Sequence, residues 1–379
     1  VSPELTIIIV AVLTAVPCAL VGTFLVLRKM AMLGDAISHV VLPGIAIAFF
    51  LAGGPAPIPV LIGAAACGLL TVLCVEALYR SGRVKEDSSI GLVFPAFFAF
   101  GVFLVSRYGG RVHLDTQHVL YGEIAHAPWD LLIVGDLVLG PKPLWVLGFV
   151  TLLDLAFIVL FYKELKLASF DSGLATALGF SPTLIHYLLM AAVSLTTVAA
   201  FDSVGAILVV ALLIVPPATA YLLTDRLSRM LMLAVGIGAL SAGLGYLLAR
   251  AMDGSIAGAM ATMAGVLFAL AALVSPRYGF VAWLVRQARL RRQFAADLLI
   301  VHLVQQDGAS PTAATSTPSP VATVQARFRW SPRFTRRVVR QMIAEGLVRP
   351  LPADAARTEL PNVVVTEQGR ARAAELLAL

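Results

Sequence analysis

Charge is scarce in this chain. Only 13% of its 379 residues are Asp, Glu, Lys or Arg, where a soluble domain carries about 25%. Apolar residues make up 59%, against roughly 45–50% in soluble domains. That balance excludes an ordinary cytosolic enzyme and a disordered chain. Cysteine is also scarce. Cys18, Cys67 and Cys74 sit inside apolar runs, with no spacing for a disulfide framework or metal clip, so they read as small buried residues. No G-x-x-x-x-G-K-[ST] loop occurs, which excludes ATP binding by that route, and neither H-E-x-x-H nor a Ser/His/Asp arrangement is found. Lysine is missing from residues 281–379, where all fourteen basic residues are Arg and seven residues are acidic, a net charge of +7. Residues 1–280 carry a net charge of −1. A nearly neutral apolar body thus precedes a basic tail, and the body belongs in lipid.

A membrane helix needs about 20 mostly apolar residues. Nine stretches meet or approach this: 5–27, 36–53, 57–79, 88–105, 144–162, 183–200, 203–223, 230–249 and 256–275. The first lacks a basic leader and an A-x-A-like end, so it reads as a spanning helix rather than a signal peptide. With the N-terminus outside, inner loops hold Arg28, Lys29, Arg80, Arg83, Lys85, Lys163, Lys166, Arg226, Arg229 and Arg277. Outer loops hold Arg107, Arg111, Lys142 and Arg250. Ten against four follows the positive-inside rule and puts the tail in the cytoplasm.

Ionisable groups within spans mark pathways by default. Asp35 and His39 stand four residues apart at the mouth of the second segment, on one helical face. Carboxylate plus imidazole suits Mn²⁺, Fe²⁺ or Zn²⁺; the same pair could equally lock helix packing by a hydrogen bond. Asp202 lies at the break between two long segments, where it greets a cation or caps the following helix. The loop 113–126 holds three His, one Asp and one Glu, among them Asp115, His118 and Glu123. It lines an outer vestibule or is a solvated loop, and its spacing matches no closed zinc site.

Three stretches carry a family likeness. Met32–Gly44 (Met-Leu-Gly-Asp-Ala-Ile-Ser-His-Val-Val-Leu-Pro-Gly) resembles the first hallmark of the manganese/zinc/iron ABC-importer permeases, the ABC-3 family. Asp202–Ala220 resembles the second hallmark, and Phe170–Pro182 is similar to the cytoplasmic coupling segment. The likeness spans roughly residues 5–280. It implies an all-α polytopic permease that binds no permanent cofactor. Such a permease moves a divalent metal inward across the cytoplasmic membrane, fed by an extracytoplasmic metal-binding protein and driven by a separate ABC ATPase. A second permease chain, identical or related, completes the pore. The resemblance places Asp35, His39 and Asp202 on the metal path, with Asp115, His118 and Glu123 as weaker candidates. Phe170, Asp171, Leu174, Leu178 and Gly179 fall in the ATPase-coupling segment. Val119–Ala125 looks most like manganese- or iron-associated members, which favours manganese, then iron or zinc. Asp35 near the inner face and Asp202 near the outer face stand across a core about 30 Å thick. They read as two stations on one route, with a single shared site as the alternative.

The coupling segment has its own local signals. Asp171 opens a short helix that ends at Gly179, with Pro182 just beyond. Such a knob fits a groove on a partner protein, or lies on lipid.

The body is expected to end at residue 280. Residues 281–306 read as two helices, basic (Trp283–Arg292) and then amphipathic (Phe294–Gln306), followed by a low-complexity linker at 307–320. Residues 321–379 resemble the winged helix of metal-dependent repressors, an α+β domain. Its recognition helix is 332–345, opened by Ser331 as cap and Pro332 at the first turn, and its wing is 347–366. Arg333, Arg336, Arg337 and Arg340 form the basic face of that helix, suited to DNA phosphates, anionic lipid headgroups or an ATPase surface. DNA is the less favoured partner, because a tether to the membrane restricts search. A membrane-anchored, metal-responsive regulator is the alternative function.

Overall fold

The computed structural model describes residues 2–52, 57–108, 124–134, 137–276, 278–307, 320–350 and 363–378. They form two compact units, residues 1–279 and 280–379. Asp115, His118 and Glu123 lie outside the described residues, as do residues 308–319 of the expected linker and 351–362 of the expected wing.

The first unit opens with α1 (Pro3–Leu27), α2 (Ala31–Ala52), α3 (Pro57–Arg80) and α4 (Glu86–Tyr108). A short hairpin follows, β1 (Leu131–Val134) paired antiparallel with β2 (Leu137–Pro141). Then come α5 (Lys142–Leu160), α6 (Tyr162–Phe170), α7 (Ser172–Ala177), α8 (Pro182–Val204), α9 (Ala206–Leu223), α10 (Leu227–Met252) and α11 (Ile256–Val274). Among the described residues, nine helices are long and apolar enough to cross a membrane: α1–α5 and α8–α11.

Local chemistry explains where these helices start. Ser2-Pro3 and Ser181-Pro182 each place a hydroxyl at the cap and proline in the first turn, where its missing N–H costs nothing. Ser2 accepts from the Leu5 N–H at 3.4 Å and Ser181 from the Leu184 N–H at 3.3 Å. Inside the spans, hydroxyls bond back to their own helix and so hide from lipid. Thr14 donates to the Val10 carbonyl at 2.8 Å, Thr23 to Ala19 at 2.7 Å and Thr71 to Cys67 at 2.9 Å. Small residues bring α2 and α3 together: a side chain at Gly44 would meet the Gly63 carbonyl at 2.6 Å, close approach being the main source of helix affinity in lipid. Phe24, Leu189, Leu208 and Leu212 are buried in the resulting core. Leu270, Leu273 and Val274 of α11 stay exposed, as a lipid-facing helix requires.

Several boundaries differ from those expected. The second span begins at Ala31 rather than 36, because Met32, Leu33 and Asp35 continue the helix although the charge ends the apolar run. Asp202 does not cap a following helix. It lies in the last turn of α8, and the break falls at Gly205, whose φ of 80° suits glycine. The apolar unit is also not purely helical: the aliphatic runs Leu131–Val134 and Leu137–Leu139 pair as strands.

The second unit contains α12 (Phe280–Asp307), α13 (Pro320–Arg327), α14 (Pro332–Ala344), β3 (Val348–Pro350), β4 (Val363–Val365) and α15 (Glu367–Leu377). The two helices expected over 283–306 are one continuous helix, since Arg291-Arg292-Gln293 joins them without glycine or proline. Val348 pairs with Val365 and Pro350 with Val363, antiparallel. Leu299, Ile300, Val338, Val339 and Met342 form a core of their own. Arg333, Arg336, Arg337 and Arg340 are all exposed on α14.

Candidate functional site

Asp35 and His39 point from one face of α2. His39 Nε2 lies 3.6 Å from Asp35 Oδ1, with the side chains 31% and 42% exposed. That exposure leaves donor atoms free for a ligand, which a sealed packing contact would not. α4 forms the wall beside them: the His39 ring sits 5.3 Å from the Phe94 ring and 6.1 Å from Phe98. This wall comes close because Gly101 lies against Pro43, where an added Cβ would meet Pro43 Cδ at 2.6 Å. The aromatic rings fix the imidazole plane while its nitrogen faces the carboxylate. One oxygen and one nitrogen donor in fixed relation can supply two ligands to a divalent transition metal. Among the described residues no group of three or more His, Cys, Asp or Glu gathers as a metal site.

Asp202 is held elsewhere. Its Oδ2 accepts from Lys142 Nζ at 3.2 Å, and the same ammonium lies 3.8 Å from Asp130 Oδ2. Asp202 is in the final turn of α8 and Lys142 opens α5, so this exposed pair ties two span ends. Asp35 lies instead in the second turn of α2, and among the described residues Asp202 does not join it and His39 in a group of three that could hold a metal.

Asp154 went unnoticed in the sequence because it sits alone within an apolar run. It is fully buried in α5, where Thr196 of α8 donates to its Oδ2 at 2.6 Å. Its Oδ1 has no hydrogen-bond partner. The only signal was the acid itself, since a carboxyl inside a span is costly unless used.

The connection between α5 and α8 carries the coupling candidates. Asp171 caps α7 by accepting from the Leu174 N–H at 2.9 Å, and Gly179 ends the segment at φ 85°. Leu165 and Ala175 are fully buried, whereas Phe170, Leu174 and Leu178 are 63%, 47% and 58% exposed. A short capped helix anchored from below and apolar above presents a knob that can enter a groove.

Comparison with known proteins agrees with this architecture. The ABC 3 transport family model matches residues 5–275. The chain is 52% identical to the manganese transport system membrane protein MntD of Bacillus subtilis (strain 168), over 78% of this chain and 99% of that one. It is 46% identical to the zinc transport system membrane protein TroD of Treponema pallidum (strain Nichols), over 90% of this chain and 92% of that one. Among solved structures, PsaBC from Streptococcus pneumoniae in complex with Fab superposes with a TM-score of 0.61 at 32% identity, covering 72% of this chain and 92% of that chain. Nine apolar spans in order, with a family match across nearly all of them, establish that the chain belongs to the ABC 3 transport family.

Proposed function

We propose that this chain, the multi-pass permease of a metal ABC importer, carries manganese inward in preference to iron or zinc through a path that includes Asp35 and His39. The observation that carries the reading is the half-exposed carboxylate–imidazole pair within a span, backed by Phe94 and Phe98. A hard oxygen donor with a borderline nitrogen donor suits manganese or iron better than a thiolate-rich site would. The other ligands come from water or from a second permease chain. Asp202 is a separate outer station, reached when a cation displaces the Lys142 ammonium. An extracytoplasmic metal-binding protein delivers the ion at that face.

Energy comes from a separate ATPase, which docks on the knob formed by Phe170, Leu174 and Leu178, with Asp171 and Gly179 setting its ends. The N-terminus lies outside and the 280–379 unit in the cytoplasm, as the excess of basic residues in the alternate loops favours. That unit is a winged helix whose arginine face regulates the ATPase. Its helix order followed by an antiparallel strand pair supports the assignment. Reading the whole chain as a membrane-anchored regulator leaves the Asp35–His39 pair and the α7 knob without use.

The test is uptake of Mn²⁺, Fe²⁺ and Zn²⁺ into vesicles holding the chain with its ATPase and binding protein. Manganese is expected to enter fastest and to be blocked by Asp35→Ala. Equal uptake in the presence and absence of ATP overturns the reading.

A further inference from the structure

At the end of the bundle where α1 stops and α8 begins, a polar cluster links four helices. Arg28 caps α1, its backbone N–H donating to the Phe24 carbonyl at 3.0 Å. Its guanidinium then forks. Nε donates to Ser169 Oγ of α6 at 3.1 Å, and Nη1 donates to His186 Nδ1 of α8 at 3.4 Å. His186 Nε2 lies 3.9 Å from Glu76 Oε2 of α3, and Arg80 bonds the other oxygen of Glu76. Arg28 Nη2 and Glu76 Oε2 are buried without a hydrogen-bond partner. Both border a cavity of about 220 Å³ that Leu33, Tyr79 and His186 also line. Leu33 is two residues from Asp35 on α2.

We infer that Arg28 is a positioning residue for energy coupling, tying the foot of the coupling segment to the head of α8 so that movement of the knob reaches the spans. The inference rests on the reading of residues 170–182 as the ATPase-coupling element. Ser169 stands two residues before Asp171, the cap of α7, and His186 lies in the second turn of α8. The guanidinium therefore bridges the segment's two flanks.

Leu165, in the helix that leads into this segment, and Ala175 within it are buried as well. Apolar contacts resist separation but are non-directional, so they permit sliding. A planar fork bonded at two edges fixes direction as well. Because an arginine only donates, Nδ1 of His186 accepts and the imidazole is neutral, with its proton on Nε2 facing Glu76. Burial lowers the pKa of the Arg28 guanidinium from its ordinary value, but an arginine stays charged. Without it the knob stays docked but loses its register against the spans. Assembly then survives while transmission fails.

The experiment uses the full complex in vesicles, reading ATPase assembly, basal ATP hydrolysis and metal moved per ATP. Arg28→Gln is expected to assemble and hydrolyse ATP at the wild-type basal rate. Its metal-to-ATP ratio should fall about tenfold, the size of a lost charge-assisted hydrogen bond. Arg28→Lys should recover little, because a single ammonium cannot serve both edges. Ser169→Ala alone should lower the ratio, and adding it to Arg28→Gln should change nothing further, the non-additivity expected of residues acting as one unit. A wild-type ratio in Arg28→Gln, or additive losses in the double variant, overturns the inference. Failure of the wild-type complex to couple ATP to metal movement would instead reject the permease reading beneath it.

Discussion

Thr196 of α8 donates to Asp154 of α5 at 2.6 Å inside the bundle, and this single bond satisfies only one of the two carboxyl oxygens. Both residues are fully buried. Thr196→Val removes the donor and strands a buried acid, which should cost about 1–3 kcal/mol. Pairing Thr196→Val with Asp154→Leu removes both polar partners and should restore most of the stability. Thermal unfolding of the detergent-solubilised chain measures this. A double variant no more stable than Thr196→Val would show that Asp154 serves more than the α5–α8 contact.

Asp35 and His39 can be separated from a mere packing lock. Asp35→Asn with His39→Gln keeps groups able to hydrogen-bond across one helical turn, yet removes the anionic oxygen and the imidazole. Metal uptake should fall at least tenfold, about 1.4 kcal/mol in transition-state terms, with membrane insertion unchanged. Normal uptake by this double variant would leave the pair a packing contact only.

The coupling helix admits a backbone test. Ala175 is buried, and its N–H donates to the Asp171 carbonyl at 3.1 Å. Ala175→Pro deletes that bond and pushes the ring into the preceding turn, costing about 3 kcal/mol. ATPase docking or metal-stimulated hydrolysis should be lost. If the complex assembled with unchanged stimulation, residues 170–182 would not be the coupling element.

What could be read from the sequence follows from the range of each interaction. Apolar runs and the i, i+4 spacing of Asp35 and His39 are local, so the spans and this pair were visible. The Asp171 cap and the Gly179 stop were visible for the same reason. Asp154 was missed because its partner Thr196 is 42 residues away. The Arg28 fork joins residues 141 and 158 positions distant, and no periodicity reports such contacts. The start of α2 was misplaced because hydropathy stops at a charge whereas helical hydrogen bonding does not. Asp202 misled for a related reason: an acid before an apolar run resembles a cap, but Gly205 makes the turn.

Removal of the tail is expected to leave the spans unharmed. Residues 280–379 form a separate compact unit with a core of Leu299, Ile300, Val338, Val339 and Met342. MntD aligns over 99% of its own length and 78% of this chain, which leaves most of the unit outside that alignment, whereas the alignment with TroD covers 90% of this chain and so reaches into it. Truncation after Gly279 should therefore leave insertion and ATPase assembly intact. Regulation is what should change, since four exposed arginines on α14 supply a basic face with no part in the spans. Uptake by full-length and truncated chains is compared at matched expression over a range of cytoplasmic metal loads. The full-length chain should slow as the load rises, and the truncated chain should not. Identical curves would remove the regulatory role. The isolated tail should bind DNA only through phosphates, with steep salt dependence and no preference among sequences, because backbone contacts carry affinity but not specificity. A sequence-selective complex would instead make α14 a reader of bases.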